Sequence, residues 1–122
     1  MIGYTTLGTN DFEKSGAFYD GLLAELGARR VVADDHIIVW SNKPGAAMLA
    51  VIKPHDGKAA TVGNGGMVAL VVKDLAMIET LHQKALELGG TCEGAPGKRT
   101  DTMSFGYVRD LDGNKLAFYC MN

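Results

Sequence analysis

Three histidines, two cysteines and two near-adjacent aspartates are the residues of this chain best equipped for proton transfer, nucleophilic attack or metal binding. Their spacing supports little of that chemistry. His55, in Lys53-Pro54-His55-Asp56, is the candidate general base, since an imidazole beside a carboxylate can take up a proton near neutral pH. Chain neighbours seldom face one another, however, so loop polarity is the plainer reading. His36 follows Asp34-Asp35 and reads as a turn residue. His82 falls mid-helix beside an apolar stripe and reads as a surface or boundary residue. No histidine or helix start stands beside Cys92 or Cys120 in the sequence to lower a thiol pKa. Both read as small buried apolar groups, and two cysteines make no disulfide framework. Counting from Asp110, a calcium loop needs Gly at its sixth position and Glu at its twelfth; those positions hold Lys115 and Met121. Gly63-Asn64-Gly65-Gly66 lacks the Gly-Lys-Ser/Thr continuation of a phosphate loop and leads into a strand, so it reads as a turn.

The remaining chemistry is aromatic and soft. Tyr4, Trp40, Met48, Met67, Phe105, Tyr107 and Tyr119 fall on predicted strands, where alternation brings residues two apart to one face. A sheet lined by such side chains, with Lys53 or Arg109 at its mouth, suits a flat or apolar ligand carrying a negative group. Tyr4 and His55 are the only candidates for proton transfer.

The elements that must position these residues occur twice. Tyr4 to Phe12 is echoed by Met67 to Leu75, a shift of 67 − 4 = 63 residues. Each copy reads as a strand, a polar cap and an amphipathic helix ending in Leu26-Gly27 or Leu88-Gly89. Asn10 with Glu13 fits a capping box for the first helix, and Asp74 caps the second. Arg30 to Val32, His36 to Trp40 and Ala47 to Ile52 are β-rich runs. They are matched by Thr91 to Glu93, Met103 to Arg109 and Lys115 to Tyr119. Superposing Ile38, Trp40, Leu49 and Ala50 on Phe105, Tyr107, Leu116 and Ala117 uses a shift of 117 − 50 = 67. Asp110 to Asn114 reads as a hairpin turn. The prediction is an α+β fold of tandem βαβββ modules whose curved mixed or antiparallel sheets surround a cleft. One domain spans 1–122, with module 1 about 1–54, a connector about 55–65 and module 2 about 66–122.

Composition narrows the function further. The net charge of −2 gives no footprint for nucleic acid or anionic lipid. The basic pairs Arg29-Arg30 and Lys98-Arg99 read as solvated loop charges. No signal-peptide pattern is seen at Met1, and no apolar run approaches the ~20 residues of a membrane span. Cytoplasmic localisation is the expectation.

The opening Met1-Ile2-Gly3-Tyr4-Thr5-Thr6-Leu7 with Ala17-Phe18-Tyr19, and the closing Tyr107 to Leu116, resemble the vicinal oxygen chelate superfamily. That group includes glyoxalase I, bleomycin-resistance proteins and extradiol dioxygenases. The resemblance covers essentially the whole chain, and Arg109-Asp110-Leu111-Asp112-Gly113-Asn114-Lys115-Leu116 is its most specific part. It implies a homodimer and a site inside the sheets, with His or Glu metal ligands on the first and last strands of metal-dependent members. Those four positions map here to Tyr4, Ala50, Met67 and Ala117. A phenol, a thioether and two methyl groups do not suit the hard divalent ions such enzymes use. The expectation is therefore a protein with no metal and no cofactor, binding a small molecule after the manner of bleomycin-resistance proteins. The alternative is a glyoxalase-like lyase or isomerase with a non-standard site.

Overall fold

The computed structural model describes residues 1–122. Module 1 comprises β1 (Tyr4–Gly8), α1 (Phe12–Ala24), β2 (Arg29–Ala33), β3 (Ile37–Ser41) and β4 (Met48–Ile52). Module 2 comprises β5 (Val68–Val71), α2 (Leu75–Glu87), β6 (Thr91–Lys98), β7 (Met103–Arg109) and β8 (Lys115–Met121). Each module forms a four-stranded sheet, in the orders β1-β4-β3-β2 and β5-β8-β7-β6. The first strand of each pairs parallel with the last, and the other pairings are antiparallel. The α+β duplication predicted from the repeat is the observed fold.

Both helices cover one face of the sheets. Phe18, Tyr19, Leu22 and Leu23 of α1 and Ile78, Leu81 and Ala85 of α2 pack with Ile38, Trp40, Leu49, Val51, Val108, Leu116 and Phe118 in one apolar cluster. Because strand side chains alternate, the residues between these must lie on the other face, which no helix covers.

That alternation corrects the superposition of the two halves. Val39 pairs with Ala50, and Tyr107 pairs with Ala117. The shift between β3 and β7 is therefore 107 − 39 = 68, while β4 and β8 keep the shift of 67 through Ala50 and Ala117. The β3–β4 connection is one residue longer than the β7–β8 turn. A one-residue slip moves every side chain of a strand to the opposite face. Trp40 is thus the counterpart of Val108 and not of Tyr107, and it lies in the helix-side core, 1 % exposed. Its indole N–H donates to Asp20 at 2.9 Å.

Three smaller expectations also change. The first helix is capped by Asp11, whose carboxylate accepts from the Lys14 N–H at 3.2 Å. Asn10 instead holds the connector: it accepts from the Ala60 N–H at 2.7 Å and donates to the Ala60 carbonyl at 3.1 Å. β6 runs to Lys98, well past Glu93, although it contains Gly94, Pro96 and Gly97. Proline and glycine weaken a central strand, but β6 is an edge, where a missing N–H is tolerated and bulges absorb the glycines. Of the basic pairs, Arg29-Arg30 and Lys98 lie in exposed strands and Arg99 in the exposed bend after β6. Arg30 lies in β2 and makes a bidentate pair with Asp20, both contacts at 2.8 Å; this bond holds the Asp20 carboxyl below its usual range against the opposing effect of burial. Arg99 caps backbone carbonyls of β6, including that of Gly97 at 3.1 Å.

The Asp110 to Asn114 turn clasps the modules together. The Asp110 carboxylate accepts from the Tyr19 hydroxyl of α1 at 2.6 Å, and from the Asp112 N–H, the Asn114 N–H and the Asn114 side chain at 2.9 Å each. Asn114 also donates to the Gly8 carbonyl at 3.0 Å, and Asp112 accepts from the Asn10 N–H at 2.8 Å. The turn that most strongly marks the resemblance is therefore structural. Burial, reinforced by the Asp110 charge, raises the Tyr19 pKa well above its usual value.

Candidate functional site

The site is built on the helix-free face of the sheets. Phe105, Tyr107 and Arg109 alternate along β7, and Ala117 and Tyr119 sit opposite them on β8. The Phe105 ring stacks on Tyr107 with centroids 5.6 Å apart and on Tyr119 at 5.4 Å, with interplanar angles of 7° and 19°. All three rings are half-buried. Gly94 of the neighbouring edge strand makes this ladder possible, because a Cβ there would lie 2.8 Å from Tyr107 Cδ2. Lys115 and Arg99 flank the ladder, their charged groups 5.2 and 5.6 Å from the Tyr107 centroid.

Module 1 contributes smaller residues to the same face. Tyr4 pairs with Met48, and Thr6 with Ala50, at the β1–β4 edge. Met48 and Met67 line one apolar cavity of about 320 Å³ together with Ile2, Thr5, Val68 and Ala69. Met67, just before β5, also lines a cavity of about 670 Å³ with residues 61–66, Arg109 and Lys115. Arg109 donates to the Gly113 carbonyl at 3.0 Å and pairs with Glu93 at 3.0 Å. That pairing holds the Glu93 carboxyl below its usual range. Small Ala50 and Ala117 are fully covered by their larger neighbours.

The structure thus brings together Met48 with Met67, and Phe105, Tyr107, Arg109 and Tyr119, with Tyr4 beside Met48. It separates three other candidates from them. Trp40 belongs to the opposite face. Lys53 lies over the Phe12 ring of α1, 5.1 Å from its centroid, in a different cavity lined by Thr9, Asn10 and Pro54. His55 is exposed on the connector, three residues beyond the end of β4, whereas Tyr4 pairs at the start of β4. At ~3.3 Å per residue, at least about 13 Å of strand separates the two proposed proton-transfer groups. They do not share a site.

Two thiol and histidine readings are also revised. His82 is buried, 8 % exposed, and its Nε2 lies 3.3 Å from the Cys92 sulfur; burial lowers its pKa. Cys92 is exposed, and only Cys120 is buried. The helix-to-edge-strand contact between residues 82 and 92 is ten positions apart in sequence, so adjacency along the chain could not show it. Lys115, by contrast, carries a readable signal: it is the module 2 counterpart of Met48, the one charged residue at a repeat position otherwise soft and apolar.

Comparison with known proteins agrees with this architecture. The chain matches the Glyoxalase/Bleomycin resistance protein/Dioxygenase superfamily over residues 1–118. It belongs to that superfamily. A crystal structure of a glyoxalase/bleomycin resistance protein from Albidiferax ferrireducens T118 is similar at 33% identity and a TM-score of 0.90, with 98% of each chain covered. A glyoxalase-related enzyme from Fulvimarina pelagi (22% identity, TM-score 0.78, 98% of this chain and 87% of that one) shares the fold. So does a lactoylglutathione lyase from Agrobacterium tumefaciens (20%, 0.70, 98% and 92%). A comparison with curated proteins returns no match.

The four positions that the sequence resemblance assigns to metal ligands in metal-dependent members are Tyr4, Ala50, Met67 and Ala117. Their donors are one phenol and one thioether, since alanine has none. That set does not fit a divalent cation, which takes imidazole, carboxylate or thiolate groups. The one convergent trio of potential ligands, Asp34, Asp35 and His36, is an exposed turn before β3. Asp34 there already accepts from the His36 and Ile37 N–H groups at 3.0 and 2.9 Å.

Proposed function

We propose that this superfamily member binds a small, flat, largely apolar or aromatic molecule on the helix-free face without a divalent metal, sequestering it as bleomycin-resistance proteins do. The observation that carries the reading is the Phe105–Tyr107–Tyr119 ladder, half-buried on the helix-free face, with Met48 and Met67 lining a separate apolar cavity at the β1–β5 edge. Aromatic and methionine surfaces supply contact area and adapt to irregular ligands. Tyr19, Asp20, Arg30, Asp34, His82 and Glu93 have proton affinities shifted by their surroundings. Five lie on the helix side or in an exposed turn, and Glu93 is a rim carboxylate held by Arg109. A lyase or isomerase needs a group poised for proton transfer in the cleft, and the separation of Tyr4 from His55 removes the pair proposed for it.

The same face leaves Tyr4, Met67, Val71 and Met121 largely exposed, at 57, 46, 66 and 64 %. Exposed apolar side chains of this kind suit a partner, and a second copy of the chain closing over the bound molecule is the assembly we propose. Two unpaired cysteines suit a reducing cytoplasm. No helix is long and apolar enough to cross a membrane.

Thermal shift against polycyclic aromatic compounds tests the binding. A ligand at a hundred times its Kd stabilises the native state by ~2.7 kcal/mol. With about 2.1 cal/mol/K of unfolding entropy per residue, that is a rise of about 10 °C for this chain. Phe105→Ala, which removes the middle ring of the ladder, should lower affinity about tenfold. A broad panel with no shift, or equal shifts in Phe105→Ala, would refute the reading.

A further inference from the structure

We propose that Lys115 and the glycine-rich segment 61–66 form an anion subsite at the mouth of the apolar cleft, so that the bound molecule is an aromatic anion such as an aryl carboxylate or sulfonate. This inference rests on the ligand-binding reading above and adds where the charge of the ligand sits.

Four observations converge on it. A cavity of about 670 Å³ lies between residues 61–66 on one side and Lys115 and Arg109 on the other. Lys115 is half-buried, and its ammonium has no hydrogen-bond acceptor and no carboxylate within 4.0 Å; it lies 5.2 Å from the Tyr107 centroid, near enough to Glu93 for its charge to act on that carboxylate. Arg109 is already committed to Glu93 and the Gly113 carbonyl, which leaves Lys115 as the free cation. The facing backbone is open to solvent, and no N–H from Thr61 to Gly66 donates within the chain.

Backbone handedness supports the same assignment. Gly63 and Gly65 have φ of +67° and +95°, and Asn64 between them keeps the ordinary negative sign. Alternation of this kind is how successive N–H groups are turned toward one concavity, the arrangement that receives anions. The segment is also placed and not free-hanging. Asn10 holds Ala60 at its start, and a Cβ on Gly113 would lie 3.4 Å from Val62 Cγ1. Met67 belongs both to this polar cavity and to the apolar one lined by Met48. A single molecule can therefore rest its rings on Met67 and Tyr107 while its charged group reaches Lys115.

Two dyes that share an anilinonaphthalene frame separate the parts of the claim. 1-Anilinonaphthalene-8-sulfonate carries the anion, and N-phenyl-1-naphthylamine lacks it. Fluorescence titration of the intact chain should give an affinity about tenfold higher for the sulfonate, the scale of one charge-assisted hydrogen bond. Lys115→Met keeps the apolar stem and should abolish that preference while leaving the neutral dye within about twofold of its original affinity. Lys115→Arg should restore most of the preference. An unchanged sulfonate preference in Lys115→Met, with circular dichroism showing a native fold, would overturn the anion subsite alone. Neutral dye bound and sulfonate bound no tighter would do the same. Failure of both dyes to bind would overturn the cleft reading and the subsite with it.

Discussion

Removing the Tyr19 hydroxyl by Tyr19→Phe tests whether the Asp110 to Asn114 turn holds the two modules together. The hydroxyl is fully buried and donates at 2.6 Å to a carboxylate that keeps three other donors. A hydrogen bond to a charged group contributes about 1.5–3 kcal/mol; with three donors remaining, the lower end applies, about 1.5 kcal/mol. At ~2.1 cal/mol/K per residue over this chain, the melting temperature should fall by about 6 °C. Asp110→Ala strands the Tyr19 hydroxyl, the Asn114 amide and two backbone N–H groups at once, and should cost about 3–5 kcal/mol, or roughly 12–20 °C. The double variant should fall short of the sum by about 1–2 kcal/mol, because both changes remove one interaction. Differential scanning calorimetry with urea titration measures all three. The pH dependence has a definite sign. The folded pKa of Tyr19 is raised above its ordinary value of 10.0, first by burial and then by the Asp110 charge. The stability this group contributes is complete below pH 10 and is lost as pH rises beyond it, because the unfolded chain releases the proton first. Tyr19→Phe should therefore show a shallower alkaline loss of stability than the natural chain. Tyr19→Phe and Asp110→Ala each within about 1 °C of the parent would refute the clasp.

Further outcomes follow from the same geometry. Gly94→Ala places a methyl group 2.8 Å from Tyr107 Cδ2, so it should lose about 1–3 kcal/mol in urea unfolding and weaken the neutral dye; unchanged values would mean that the ladder does not depend on that gap. His82 is held below its usual pKa of 6.5 by burial. Its contribution to stability is present above pH 6.5 and is lost as pH falls toward the lower folded value. His82→Gln should flatten the loss of stability as pH falls below 6.5, and an unaltered slope would contradict the assignment. Lys53→Met should leave both dye affinities unchanged, since Lys53 lies over Phe12 and away from the ladder.

The duplicated strand–helix pattern was readable because each helix buries one stripe at 3.6-residue spacing and each strand alternates. What sequence spacing could not settle was register. Nothing in Asn42 to Ala47 announces that its turn is one residue longer than Asp110 to Asn114. That single residue moves Trp40 from the helix-free face to the core, where Asp20 accepts its N–H. The length of β6 was hidden for a related reason: Gly94 and Pro96 look like chain breakers until the strand is known to be an edge. Asn10 resembled a helix cap because its competing partner, Ala60, is fifty residues away. The ladder residues Phe105, Tyr107 and Tyr119 were legible, since two strands joined by a short turn keep their pairing. Lys115 is marked as the charged counterpart of Met48, but its place opposite residues 61–66 was not legible, because only the folded connector brings that segment to it.

Titration with N-phenyl-1-naphthylamine before and after exhaustive dialysis against a chelator, with metal content measured on the same samples, tests the central claim most directly. Metal far below one equivalent per chain and an unchanged affinity are the predicted results. Stoichiometric zinc, nickel or iron whose removal abolishes binding would contradict the account, because it would require donors that Tyr4, Ala50, Met67 and Ala117 do not possess.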